Sequence, residues 1–193
     1  LGGHTGQKLA HADADSNVFM GFAAGAGGDD ASSGANNSAT NNVGIGNLSL
    51  GASADFTQDD TAFTATDNVA VGNTSLKIIT SGTHNTAIGG RVGIAITSAL
   101  GNTLMGIDSG SVLTTGSYNT LIGRGTDAVS GLTGLTRATA LGNACKAEQS
   151  YQTVIGEGGV FKFISKTVTC DQGGTDENDP SHTVAIGKIP RYA

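Results

Sequence analysis

Asn85-Thr86-Ala87-Ile88-Gly89, Asn102-Thr103-Leu104-Met105-Gly106 and Asn119-Thr120-Leu121-Ile122-Gly123 decide the fold: one five-residue unit returns at intervals of 17. Working outward, the unit occurs nine times, closing on Gly21, Gly46, Gly72, Gly89, Gly106, Gly123, Gly142, Gly156 and Gly187. The intervals are 25, 26, 17, 17, 17, 19, 14 and 31, so the spacing varies while the unit persists. A persistent unit with variable spacing is the mark of a solenoid whose turns take insertions.

The columns of the unit describe a strand. Three residues before each closing Gly the residue is always Val or Thr, β-branched and suited to a pleated surface. One residue before the Gly it is always Met, Ile, Val or Leu. Two residues apart, these columns share a face. They are expected to face inward, with Val18, Met20, Val43, Ile45, Val69, Val71, Ile88, Met105, Ile122, Leu141, Ile155 and Ile186 as structural core. The first position is Asn in six copies, where left-handed backbone, turn hydrogen bonds and stacked amide ladders suit that side chain. Between units, Leu76-Lys77-Ile78, Ile94-Ala95-Ile96 and Val112-Leu113 are expected to form a second strand per rung.

The middle column carries no polar side chain. It reads Phe19, Gly44, Ala70, Ala87, Leu104, Leu121, Ala140, Val154 and Ala185. Strands apolar on both faces are normally covered on both. The expectation is that Phe19, Ala70, Ala87, Leu104, Leu121, Ala140 and Val154 point outward as a subunit interface, buried by further copies of the chain.

Composition excludes much else. Charged residues are 13% of 193, Gly appears 31 times, Pro twice and Trp never. Long polar helix formers are scarce, and Gly lacks the three-residue period of collagen. The net charge of −6 comes without a Lys/Arg cluster, so nucleic acid is not expected as a partner. No run of about 18 apolar residues exists, so membrane insertion is not expected. The chain opens Leu1-Gly2-Gly3, without Met or a signal-peptide pattern, as a processed product or a piece of something longer would. Cys145 and Cys170 are a single pair that fits two thiols as well as one disulfide.

His84-Asn85-Thr86-Ala87-Ile88-Gly89 and His182-Thr183-Val184-Ala185-Ile186-Gly187 resemble the S/N-V/T-A-I-G repeat of trimeric autotransporter adhesin heads. Thr114-Thr115-Gly116-Ser117-Tyr118-Asn119-Thr120-Leu121-Ile122-Gly123 is similar to the TTGxxNTxIG repeats of bacteriophage tail and head fibres. The resemblance covers roughly 16–156 and 182–187. It implies an all-β, left-handed parallel β-roll of about nine rungs assembled as a homotrimer, on the surface of a virion or a bacterial cell. Other virion structural proteins and a host surface glycan or protein are the partners it implies. The chain departs from the autotransporters in showing neither coiled-coil stalk nor membrane anchor, which favours a virion component or a fragment of an adhesin.

The expected organisation is an N-terminal junction at 1–15, a roll at 16–157 with insertions at 22–41 and 51–66, and a cap at 158–193. That cap contains a strand or hairpin, an acidic loop from Asp171 to Asp179 and the last unit at 182–187. No catalytic residue, cofactor or metal site is expected: no Gly-x-Ser-x-Gly elbow or phosphate loop occurs, and the calcium-like start at Asp13 lacks its Gly and Glu. His4 and His11 form no His-x-His pair. The residue before each unit changes in size and charge from rung to rung and reads as a solvated edge. Tyr118, Arg137 and Tyr151 follow one another there as a candidate receptor contact, Tyr and Arg being favoured in recognition. The regular Thr column at 86, 103, 120, 139 and 153 would suit an ice-binding face, but inward parity sets that reading aside.

Overall fold

A computed structural model describes residues 16–25, 38–51 and 63–156, and the backbone of 161–164. The 1–15 junction with His4, His11 and Asp13, most of both insertions, Cys170, the acidic loop and the last unit with Ile186 lie outside the described residues.

The units are strands: β1 Val18–Met20, β2 Val43–Ile45, β3 Val69–Val71, β4 Thr86–Ile88, β5 Thr103–Met105, β6 Thr120–Ile122, β8 Thr139–Leu141 and β10 Gln152–Ile155. They stack as one parallel sheet in chain order, and every column stays in register, Thr86 on Thr103 on Thr120 on Thr139 on Thr153. The chain is thus an all-β parallel solenoid. A final strand, β11 (Phe161–Ile164), runs antiparallel to β10.

Two backbone devices make each rung turn. The residue entering every described unit is left-handed, from Ser16 through Asn41, Asp67, His84, Gly101, Tyr118 and Arg137 to Tyr151, with φ between 53° and 66°. The closing glycines leave by a second corner, where Gly46 has φ 133° and Gly72 134°. A Cβ on Gly46 would strike the carbonyl oxygen of Gly72, and one on Gly72 that of Gly89, so the stack itself demands Gly.

The faces are opposite to the sequence expectation. Ala70, Ala87, Leu104, Leu121, Ala140 and Val154 are buried inside the roll, and Phe19 packs against that core. The columns on either side point out, with Val18 50% and Met20 53% exposed and Ile45, Ile88, Met105, Ile122 and Ile155 also open. Val43, Val69, Val71 and Leu141 are half-buried beside them. The twelve-residue core expected from the sequence is therefore outer surface of the protomer at the eleven described positions, and the expected interface column is the core. Volume explains the inversion. The roll is thin, and Leu50, Leu76, Val92, Ile96 and Leu113 fill it from the return side. Small Ala, or Gly44 lying against the Phe19 ring, is what the strand can place opposite them.

The return side is not the second strand expected. Leu76-Lys77-Ile78, Ile94-Ala95-Ile96 and Val112-Leu113 lie in turns and irregular backbone, with left-handed Leu76, Gly93 and Gly110 at the bend. Rungs still hydrogen-bond there, as in Leu76 N to Val92 O (2.9 Å) and Gly93 N to Ser109 O (2.9 Å). Among the described residues only β7 (Asp127–Ala128) and β9 (Lys146–Ala147) form a parallel strand pair on that side. The insertions are also narrower than expected. Ala23, Ala24, Ala39, Phe63 and Ala65 are buried, and Thr40, Thr66, Thr83 and Leu100 bridge from rung to rung.

Candidate binding surface

Two buried polar seams hold the corners, and neither is a binding site. Along one edge Asn17, Asn42, Asn68, Asn85, Asn102 and Asn119 stack as an amide ladder: each Oδ1 accepts the backbone N–H and the Nδ2–H of the next Asn, at 2.8 to 3.1 Å. The ladder ends where Ala138 N donates to Asn119 Oδ1 (2.9 Å). Along the other edge buried hydroxyls span the roll: Ser75 Oγ donates to Ala87 O (3.1 Å) and Ser109 Oγ to Leu121 O (2.9 Å). This hydroxyl seam was not read from the sequence, although Ser49, Ser75, Ser109 and Thr126 all stand three residues after a closing Gly.

Among the described residues one carboxylate side chain is fully buried. Asp127 accepts hydrogen bonds from Ser111 Oγ (2.7 Å), Val112 N (3.1 Å) and Ala128 N (2.9 Å). Burial raises its pKa above the ordinary aspartate value; Ser111, Ala128, the Lys146 charge and Val112 pull the other way. All three donors are internal, so Asp127 serves the turn. Cys145 is a buried free thiol whose pKa is raised by burial, and its Sγ lies 3.4 Å from Val154 O. Among the described residues no three His, Cys, Asp or Glu side chains gather as a metal site would require.

The surface offers two features. The first is the outer sheet face. Its sixteen positions on β1 to β6, β8 and β10 are Val, Thr, Met, Ile or Leu, and none is charged. The Thr column, set inward by the sequence reading, stands here beside the Ile column, with Thr103 exposed and Thr86, Thr120, Thr139 and Thr153 half-buried. A solvated sheet face would ordinarily mix in charge.

No protein-family model, curated protein or solved structure matches this chain. Its residues alone carry the interpretation.

The second feature is the left-handed edge, solvated as expected. Arg137 lies between Tyr118 and Tyr151 of the adjoining rungs, its guanidinium carbon 5.2 Å and 5.5 Å from the two ring centres. Arg137 Nη1 also donates to Tyr151 Oη at 3.0 Å. The structure thus brings together the three residues picked as a receptor contact. Lower on the same edge His84 Nε2 lies 3.6 Å from Asp67 Oδ2. Near the opposite corner Arg91 Nε meets Asp108 Oδ1 at 2.9 Å.

Proposed function

We propose that the protein is a structural and adhesive fibre component of a virion, a left-handed β-roll of about nine rungs working as a homotrimer. The observation that carries this reading is the uncharged outer face. With the middle column filling the roll, nothing among the described residues covers the Val/Thr and Met/Ile columns. Three copies packed face to face would bury Val18, Met20, Ile45, Ile88, Met105, Ile122 and Ile155 about a common axis, and the repeats resembling those of trimeric fibre heads supply the number three. The function is then geometric rather than enzymatic. Stacked rungs give a rigid column, and threefold display makes weak contacts to a host glycan or protein cooperative. The insertions and the left-handed edges are the surfaces that would touch a host; a collar, decoration or shaft segment, or the head of a bacterial trimeric adhesin, would share the same scaffold.

The test is the native mass of the full chain, with Ile122→Lys as the probe. A trimer that falls to a folded monomer on this change supports the reading, and a monomeric wild type overturns it. One observation favours a second reading in that event: the outward Thr column, in register on a parallel sheet, has the regularity an ice surface selects. A monomer with thermal hysteresis would establish that alternative.

A further inference from the structure

We infer that Arg137, clamped between Tyr118 and Tyr151, is a binding site for the carboxylate of an acidic surface sugar. The inference deepens the adhesive reading by naming the ligand chemistry. Arg137 is exposed, and among the described residues it meets no carboxylate. Its partners are two rings and one phenol. A guanidinium that meets no carboxylate among the described residues, on a chain of net charge −6, is a local reversal of sign suited to an anion.

The geometry is built in advance. Tyr118, Arg137 and Tyr151 enter their rungs with the same left-handed φ, 61°, 53° and 62°, so the backbone aims all three side chains from one edge. Below them the column has Gly101, where a Cβ would come within 2.9 Å of the Tyr118 ring; the missing side chain leaves room for that ring. The guanidinium carbon lies over both rings, and one of its N–H groups is taken by Tyr151 Oη, which leaves further N–H groups of the planar fork open. A planar fork fits a planar carboxylate in bidentate fashion. Tyr151 Oη accepts from Arg137, which leaves its own hydrogen to donate outward, and Tyr118 is about half exposed beside it. One charged fork flanked by two phenols on an open edge matches an acidic sugar, with the carboxylate on the fork and ring hydroxyls on the phenols. An acidic peptide would find only the fork, because the strand backbones here are already bonded to their neighbours.

The full chain is titrated with polygalacturonate, with its methyl ester as the neutral form of the same polymer, and with polyglutamate. The expected result is binding of polygalacturonate alone, weakened about tenfold or more by Arg137→Gln and a few-fold by Tyr118→Phe or Tyr151→Phe. The two Phe changes keep the rings and remove only the phenols, so the fold is not in question. Equal binding of the ester, preference for polyglutamate, or indifference to Arg137→Gln each overturns the proposal. So does dissociation of the oligomer by Arg137→Gln, which would give the fork a partner in a neighbouring copy. A monomeric wild type that still binds polygalacturonate through Arg137 would refute the fibre reading and leave the site standing.

Discussion

Asn85→Asp exchanges one atom in the middle of the amide ladder and removes its polarity. Asn85 Oδ1 accepts from Asn102 N and Nδ2, both at 3.0 Å. Its Nδ2 donates to Asn68 Oδ1 (3.0 Å), Thr83 O (3.1 Å) and Ala99 O (2.8 Å). The new oxygen would face three acceptors and no donor, so the carboxyl must take a proton to remain. Holding it protonated at about pH 7 against a free value near 3.9 costs about 4 kcal/mol. The sign follows from the raised pKa: native chains hold a proton that unfolded chains release, so the deficit is smallest at about pH 3, where one O–H stands in for two N–H donors, and grows as pH rises through 4 to 7. Asn85→Ala is the control. It strips the Asn102 N–H of its acceptor and costs about 2–4 kcal/mol at either pH. Thermal unfolding of both variants and the wild type, followed by circular dichroism at the two pH values, separates the effects. An Asn85→Asp deficit that does not change with pH, or one below about 0.5 kcal/mol at neutral pH, would refute the ladder as a directional hydrogen-bond chain.

The other expectations follow from the same stacking. Asn119→Ala should be milder than Asn85→Ala, because Asn119 Oδ1 serves only Ala138 N; equal losses in melting temperature would contradict this. Gly72→Ala should prevent the roll from forming or cost at least about 3 kcal/mol, while Gly90→Ala, with open space around its Cβ, should leave the melting temperature almost unchanged. Leu121→Ala should cost about 2–5 kcal/mol from inside the roll, whereas Ile122→Lys next to it should alter assembly and not the fold; the reverse outcome would restore the opposite parity. The raised pKa of Asp127 supports the fold below the ordinary aspartate value and loses that support as pH rises. Asp127→Asn should therefore gain stability relative to wild type between about pH 3 and pH 7, read from paired unfolding curves.

The strand positions were legible because a pleated unit with Asn before it and Gly after it leaves little freedom. The face was not. Both parities are apolar, and being hydrophobic says that a residue can be inside, not that it is. The missed clue lay in size. Gly44, Ala70, Ala87 and Ala140 share the middle column with Phe19, Leu104, Leu121 and Val154, as a core of limited width requires, while the outer columns of the described strands hold no Gly or Ala. The return side misled for a related reason. Leu76-Lys77-Ile78 alternates like a strand, yet the position four after the closing glycine is Gly25, Gly93 and Gly110 in other rungs, which marks a left-handed bend. At Asp127 and Lys146 that position loses its positive φ, and there the backbone straightens into β7 and β9. The Tyr118, Arg137 and Tyr151 cluster was visible because residues at equal places in successive rungs must be neighbours.

The entry residue of each rung has one conformation and almost any identity: Ser, Asn, Asp, His, Gly, Tyr or Arg at the same φ. Single-codon changes along that line can rewrite the chemistry this edge presents while the chain folds as before.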